Sequence, residues 1–525
     1  MPASRGHITP RSLGIYLTIL ILTTIGGIMS GLSYPAMACL VIFITSIYLI
    51  ASEILTRATA ALFGAFLVFL TFLIEGSHSP VDIAHHYIEM NTILTLFGII
   101  IVASLGLKSG LFYFIGMKVA KASKGNPVIL YFILAVFTFV LNIFLIAVAT
   151  IVVVVSLTLA ICDILKIEPR PYVIMEIFIV NVAASATMIS AVPNIIIAEK
   201  AQLAYTFFII NLMPFTVGFF LISLWMLYAL YPPPTVVDII RASAILEIDE
   251  WLFVKNKTEF YVSAVCIAGL IIGFIASREL MVISILFAVI ALAFYSKPEE
   301  LIKDVDWDTL LFFIGFYIII AGLSITGILN GIARALVVIS GGNPILLITM
   351  LFWISVIVSG FVDNIPYVLV IIPIISILIS AQQFSGYAPI FWILLILACN
   401  IGGGLNPYSA PQNLLALSLA KRAKYPVMSK DFYKISIRWT IIGGITAYLY
   451  IIIYMAMPSI IEKIGIIWFV SITVTLIAII LAAAIHRIIG LRRFINSIRT
   501  ALLYTKSLII STKRRMVTRL RKLTS

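Results

Sequence analysis

Apolar runs of about twenty residues follow one another along most of the chain, and polar residues gather in the short gaps between them. A helix needs roughly 20 apolar residues to cross the hydrocarbon core of a bilayer. The runs are too long, and too free of alternation, for barrel strands. The pattern predicts spans near residues 13–31, 35–53, 58–75, 91–108, 172–200, 205–230, 259–276, 279–296, 308–328, 390–420, 435–457 and 465–486. Two longer runs, 127–163 and 344–380, read as hairpins. The expected fold is therefore an all-α polytopic membrane protein of about twelve transmembrane helices. Leu13 to Met29 follows Arg5 and Arg11 like a signal peptide, but its apolar core is longer than a typical one, so an uncleaved first span is expected.

Loop charges support the hairpins. Lys118, Lys121 and Lys124 precede the 127–163 run, and Lys166 and Arg170 follow it, so both of its ends read as cytoplasmic. A single crossing cannot do that; a re-entrant pair or two short crossings can. The 344–380 run is followed by the uncharged Ala381–Ala388 and reads as external at both ends. Twelve spans and two hairpins then place both termini, Arg57 and the Lys421–Lys434 segment inside.

Asp363 stands in the middle of the second hairpin run, and no other long run sets a carboxylate so far from its ends. A charge at bilayer depth costs roughly 2.5–3.5 kcal/mol on insertion scales and is kept where it meets a cavity, a partner or an ion. Asp363-Asn-Ile-Pro366 also reads as a helix start, since Asp caps well and Pro suits a first turn. Asn364 adds a neutral group at the same tip.

Much of the chain can be laid over itself without a gap. Thr92 then meets Thr309, Gly98 meets Gly315, Gly110 meets Gly327, Gly125-Asn-Pro127 meets Gly342-Asn-Pro344, and Phe144 meets Phe361. After a small further slip, Asn181 and Asn194 meet Asn400 and Asn413. An odd number of crossings separates the copies, so they are expected to be inverted, as in many secondary transporters. Each repeat should carry a re-entrant hairpin and a broken helix. The implied organisation is 1–87, three N-terminal spans; 88–230, repeat 1; 231–304, a linker with two connecting spans; 305–457, repeat 2; 458–486, a last span; 487–525, a basic cytoplasmic tail.

The broken helices are the segments Asn181 to Asn194 and Asn400 to Asn413. Gly402, Gly403, Gly404, Pro407 and Pro411 should unwind the second and free backbone groups to face protein, water or an ion. Tight helix packing with polar glue is the competing reading. In the first hairpin the tip is Ile146 to Thr150, offering backbone and the Thr150 hydroxyl without a charge. Ion binding should therefore differ between the repeats.

Charge and composition narrow the function. The net charge is +13, but eleven Lys or Arg lie between Arg487 and Lys522 with no Asp or Glu, so most of the excess belongs to a tail facing the cytoplasm and lipid rather than nucleic acid. Cys39, Cys162, Cys266 and Cys399 are scattered through apolar segments, without disulfide or zinc spacing. His78, His85 and His86 near Asp82 and Glu89 admit a metal or pH sensor, against an interfacial amphipathic segment. No ATP-binding loop and no hydrolase motif is found, and no enzyme activity is expected.

These motifs resemble the ion transporter superfamily, in particular its branch of arsenite efflux permeases, NhaD-type sodium/proton antiporters and the melanosomal P protein, with a citrate transporter-like domain. The resemblance covers roughly 88–426 and is carried by Val305 to Gly315, Gly360 to Pro366, Asn181 to Asn194 and Asn400 to Asn413. It implies that Asp363, Asn364, Asn400, Asn406, Ser409 and Asn413 form one half-site and Asn181, Ser185, Thr187, Ser190 and Asn194 the other. It also implies a homodimer. The first hairpin departs from the family, with Ile146-Ala147 where an Asp-Asn pair is usual, and so does the first broken helix, with Ala183 and Ala184 for glycines. The expectation is an integral plasma-membrane carrier of a small ion or solute, of the arsenite-efflux or Na⁺/H⁺-antiport type. Its site would lie between the Asp363 tip and the broken helices. No cofactor is expected beyond Na⁺ or H⁺ as coupling ion, with Asp363 marking the candidate Na⁺ position. A dicarboxylate or citrate carrier and an ion channel remain alternatives.

Overall fold

A computed structural model describes residues 10–52, 54–235 and 239–456. The expected last span at 465–486 and the basic tail lie outside them. All regular structure among the described residues is helical, and eleven helices are long and apolar enough to cross a membrane. The protein is an integral membrane protein.

The helix boundaries repeat. Met90–Lys108 and Trp307–Ile325 start and stop at positions that the gapless overlay pairs, as do Pro127–Phe144 and Pro344–Phe361. Each of the latter pair opens on the same device. Asn126 Oδ1 accepts from the amides of Val128 and Ile129 at 3.0 and 3.1 Å, and Asn343 Oδ1 from those of Ile345 and Leu346 at 2.9 and 3.2 Å. Proline follows in both, at a position where its missing N–H costs nothing. Replacing Asn343 by Ala should cost about 1 kcal/mol through loss of this cap, read as a lower thermal midpoint in detergent with the helix otherwise kept.

The chain folds as two compact units. One contains Met1–Val102, Val192–Ala204 and Ile272–Cys399; the other contains Ala103–Ala191, Tyr205–Ile271 and Asn400–Ser525. In the first unit, Arg57–Glu75 and Trp307–Ile325 run side by side in the same direction. A Cβ on Gly315 would lie 2.6 Å from the Ala61 carbonyl carbon, and one on Gly322 would meet Val68 and Cys39. Ala58, Ala61, Gly64, Ala65 and Val68 line the facing stripe, so the backbones touch, as small residues allow.

In the second unit, Arg170–Ala183 is buried at every position from Pro171 to Ala183. It packs against Pro127–Phe144, Ala147–Leu165, Met213–Leu230 and Pro411–Arg422. Trp439 closes this core, its ring tilted against Phe178 and Phe219 and its indole N–H donated to Ser223 Oγ at 2.8 Å. The 205–230 segment, expected as one span, is interrupted at Leu212, where Pro214 opens the Met213–Leu230 helix.

Candidate functional site

Both broken helices are broken where the sequence places them. Arg170–Ala183 resumes as Val192–Ala201, and Ala388–Gly402 resumes as Pro411–Arg422. The unwound links are held by the same bonds. Ser190 Oγ lies 2.8 Å from the Ala184 carbonyl and 2.6 Å from that of Thr187. Ser409 Oγ lies 2.8 Å from the Gly403 carbonyl and 2.6 Å from that of Asn406. The overlay that sets Asn181 on Asn400 also sets Ser190 on Ser409, Ala184 on Gly403 and Thr187 on Asn406. A hydroxyl thus takes over carbonyls that a continuing helix would have satisfied with amides.

Alanine can replace glycine in the first link because neither link uses the left-handed backbone: no residue of 184–191 or 402–410 has a positive φ. Gly404 is required for space instead, since a Cβ there would come within 2.3 Å of the Trp439 ring. Its counterpart in the first link is Ser185, which is buried.

The two links are joined within the second unit. Gln412 Nε2 donates to Asn181 Oδ1 at 3.2 Å, Asn181 Nδ2 donates to Asn413 Oδ1 at 2.7 Å, and Asn413 Nδ2 donates to the Gly403 carbonyl at 2.7 Å. Asn400 Nδ2 reaches the Ala184 carbonyl at 3.5 Å. Thr187 Oγ1 ties the first link to the Ile143 carbonyl of the hairpin at 2.9 Å, and Asn406 Oδ1 accepts from Tyr408 N and the Tyr433 hydroxyl. Asn181, Ser185, Thr187, Ser190, Asn400, Ser409, Gln412 and Asn413 are all buried. Gly402 ends the Ala388–Gly402 helix, its carbonyl accepting from Leu405 N, and Gly403 in the turn that follows presents its carbonyl to Ser409 and Asn413.

Three expected site residues lie in the first unit: Asn194, Asp363 and Asn364. Asn194 is fully buried on Val192–Ala201. Asp363 starts the Asn364–Ser380 helix, its Oδ1 accepting from Ile365 N at 3.0 Å. Its Oδ2 faces the guanidinium of Arg57 at 2.7 Å. The Asp side chain is 9% exposed and the Arg 33%. Asn364 is used locally: its Oδ1 lies 2.5 Å from Ser359 Oγ, which is also 2.9 Å from the Cys399 carbonyl. In the other unit Asn142, the counterpart of Ser359, points Nδ2 at the Val180 carbonyl at 3.4 Å. In both repeats the hairpin therefore binds the carbonyl just before the first asparagine of the broken helix. Thr150 turns its hydroxyl back to the Ile146 carbonyl at 3.3 Å.

Sequence reasoning missed three participants. Gln412 was hidden inside a motif read for its asparagines and prolines. Arg57 sits at the start of a span, where a cation is ordinary. Glu176 lies six residues into the helix that begins at Arg170 and is fully buried, so Asp363 is not alone as a carboxylate deep in an apolar run. Among the described residues no group of three His, Cys, Asp or Glu side chains could hold a metal ion, and the four cysteines are buried and free.

An all-helical membrane protein whose helices are interrupted at paired, internally hydrogen-bonded polar links has the build of a membrane transporter. A family model described as "Citrate transporter" matches residues 40–396, and the chain belongs to that family. It is 29% identical over 416 residues to a 46 kDa membrane protein of Mycobacterium leprae, spanning 78% of this chain and 96% of that one. It is 28% identical over 417 residues to an uncharacterized transporter of Mycobacterium tuberculosis, covering 78% and 95% of the two chains. The P protein of Mus musculus is 23% identical over 471 residues, 74% of this chain and 56% of that one. Among solved structures, the YdaH transporter of Alcanivorax borkumensis shares the fold at 11% identity and TM-score 0.50, over 77% of this chain and 98% of that one. The protein is a transporter of this family, and family and relatives point to transport rather than catalysis.

Proposed function

We propose that the protein is a secondary carrier of a small ion or solute, driven by a Na⁺ or H⁺ gradient. The observation that carries this reading is the bonded chain Gln412–Asn181–Asn413–Gly403, which joins two unwound links in a buried setting. Helices restart after each link, and their N-terminal ends favour an anionic or electron-rich group, while link carbonyls favour a cation. The segments 181–194 and 400–413 contain no charged residue. That suits a cation or a small neutral hydroxide such as arsenous acid better than a multiply charged anion. Inverted repeats, cytoplasmic termini and a homodimer belong to the same proposal. A citrate or dicarboxylate carrier is the second reading, favoured by the description of the matching family.

Asp363 is the proposed switch of the coupling cation, which would compete with Arg57 for the carboxylate. The test is uptake into proteoliposomes across a panel including Na⁺, arsenite, citrate and succinate, with Na⁺ and H⁺ gradients set separately. Saturable uptake that collapses with one gradient is expected. Asp363→Asn should keep the capping oxygen, leave Arg57 without its counter-charge and lower the gradient-driven rate about tenfold or more, the effect of an uncompensated charge worth about 1.4 kcal/mol or more. Current linear in voltage without saturation would identify a channel and overturn the reading, and unchanged coupling in Asp363→Asn would remove the role given to that residue.

A further inference from the structure

Glu176 is the most enclosed carboxyl group among the described residues, with no exposure to solvent. The Thr158 hydroxyl donates to its Oε1 in a short hydrogen bond, and its Oε2 has no partner among the described residues. The groups around it from the neighbouring helices are uncharged. They are Tyr131 on Pro127–Phe144, Cys162 on Ala147–Leu165, Tyr172 on its own helix and, beyond Tyr131, Tyr228 on Met213–Leu230. Pro411–Arg422 brings the amides of Gln412 and Asn413 to the end of this helix and keeps Lys421 and Arg422 exposed. Ser429–Ala456 meets the helix through Phe432 and Trp439 against Phe178, with Lys434 and Arg438 exposed. Glu168 and Arg170, at the start of the helix, pair with each other at 2.7 Å.

An ionised carboxylate buried without a partner costs several kcal/mol, whereas a neutral acid needs only ordinary hydrogen bonds. The Tyr131 hydroxyl, also fully buried, has no partner among the described residues either, so two buried polar groups are left open here. Structural economy would have put Leu at position 176, as it has at the counterpart in the second broken helix, Leu395. Glu176 also stands five residues before Asn181 on one straight helix, about 7–8 Å along the axis at 1.5 Å per residue. A change of charge there is felt by the helix end that carries the asparagine chain.

We propose that Glu176 is a proton-binding site of the transport cycle, separate from the cation switch at Asp363. This rests on the carrier reading above and deepens it. The two deep carboxylates divide the work: Asp363 has a counter-charge in Arg57 for which a cation can compete, while Glu176 has none among the described residues and is buried as the neutral acid. When water reaches Oε2 from one side of the membrane, the O–H bond breaks, the proton leaves to water and the carboxylate keeps the electron pair. Reprotonation from the other side restores the buried acid.

The test uses the full-length protein in two arms. Infrared difference spectra of reconstituted protein between acid and alkaline pH should show a protonated-carboxyl carbonyl band that is lost in Glu176→Gln and retained in Asp363→Asn. In proteoliposomes, Glu176→Gln should abolish uptake driven by a pH gradient while keeping exchange of labelled solute across the membrane. The amide is isosteric and can still accept from Thr158, so a merely structural role would leave pH-driven uptake intact. Thr158→Ala should move the midpoint of the band's titration without removing it. A band unchanged in Glu176→Gln, or pH-driven uptake at the wild-type rate in that variant, overturns the proposal. If no solute of the panel is carried by the wild type, the carrier reading fails, and the infrared arm alone decides whether Glu176 binds a proton.

Discussion

Asn413→Leu is expected to reduce transport to background while leaving a folded protein. Asn413 is bonded both to the first broken helix, through Asn181, and to the carbonyls of its own link, Gly403 at 2.7 Å and Asn406 at 3.3 Å. The Gly403 and Asn406 carbonyls keep the Ser409 hydroxyl, and Asn181 Nδ2 keeps the Ile177 carbonyl. The loss therefore falls on weakened rather than orphaned groups, and stability should drop by about 1–3 kcal/mol. Uptake assays and a thermal midpoint in detergent separate the two effects. Asn181→Leu should behave alike, and the double variant should cost less than the sum, because both changes cut the same bond. Wild-type uptake in Asn413→Leu would detach the linked asparagines from transport.

Gly110→Ala is expected to prevent accumulation of folded protein, whereas Gly327→Ala, at the equivalent position of the second repeat, is expected to be mild. Both glycines start a helix in the left-handed region, at φ 83° and 77°. An L-residue there pays about 1–2 kcal/mol. At Gly327 a Cβ would meet nothing within 4 Å, so that strain is the whole cost. At Gly110 it would lie 1.9 Å from the Phe253 carbonyl oxygen and 2.7 Å from its carbon, atoms of backbone that cannot rotate aside. The 250–253 turn would have to leave its place, and with it Glu250, which pairs with Lys121. Monodispersity on size-exclusion and the thermal midpoint of the two variants give the comparison, and equal behaviour would contradict the packing described.

The helical plan was legible because bilayer length and proline chemistry are local. Asn-Pro at 126–127 and 343–344 announces a cap and a start, and Asp363-Asn-Ile-Pro announces another. The breaks at 184–191 and 403–410 could be read from small residues, serine and proline. Their shared hydrogen-bond pattern could not, since Ala183 and Ala184 disguise it and only the serines, six residues beyond the carbonyls they serve, reveal it. The partner of Asp363 was not legible either: nothing local to Arg57 distinguishes it from any cation that opens a span, and the pairing exists only after distant helices pack. Glu176 was overlooked because its distance from a charge boundary is short in sequence, while its burial depends on the helices that pack around Arg170–Ala183.

The glycine-alanine seam between Arg57–Glu75 and Trp307–Ile325 has a mechanical consequence. The two helices meet backbone to backbone at Gly315 and Ala61, with Gly322 against the Val68 side chain two turns on, and resist sliding, because an axial slip would press side chains into these close contacts. They behave as a single girder, and Arg57 at its end pairs with the Asp363 tip of the hairpin. Bending then costs least at the interrupted helices, where the chain has already given up its rigidity.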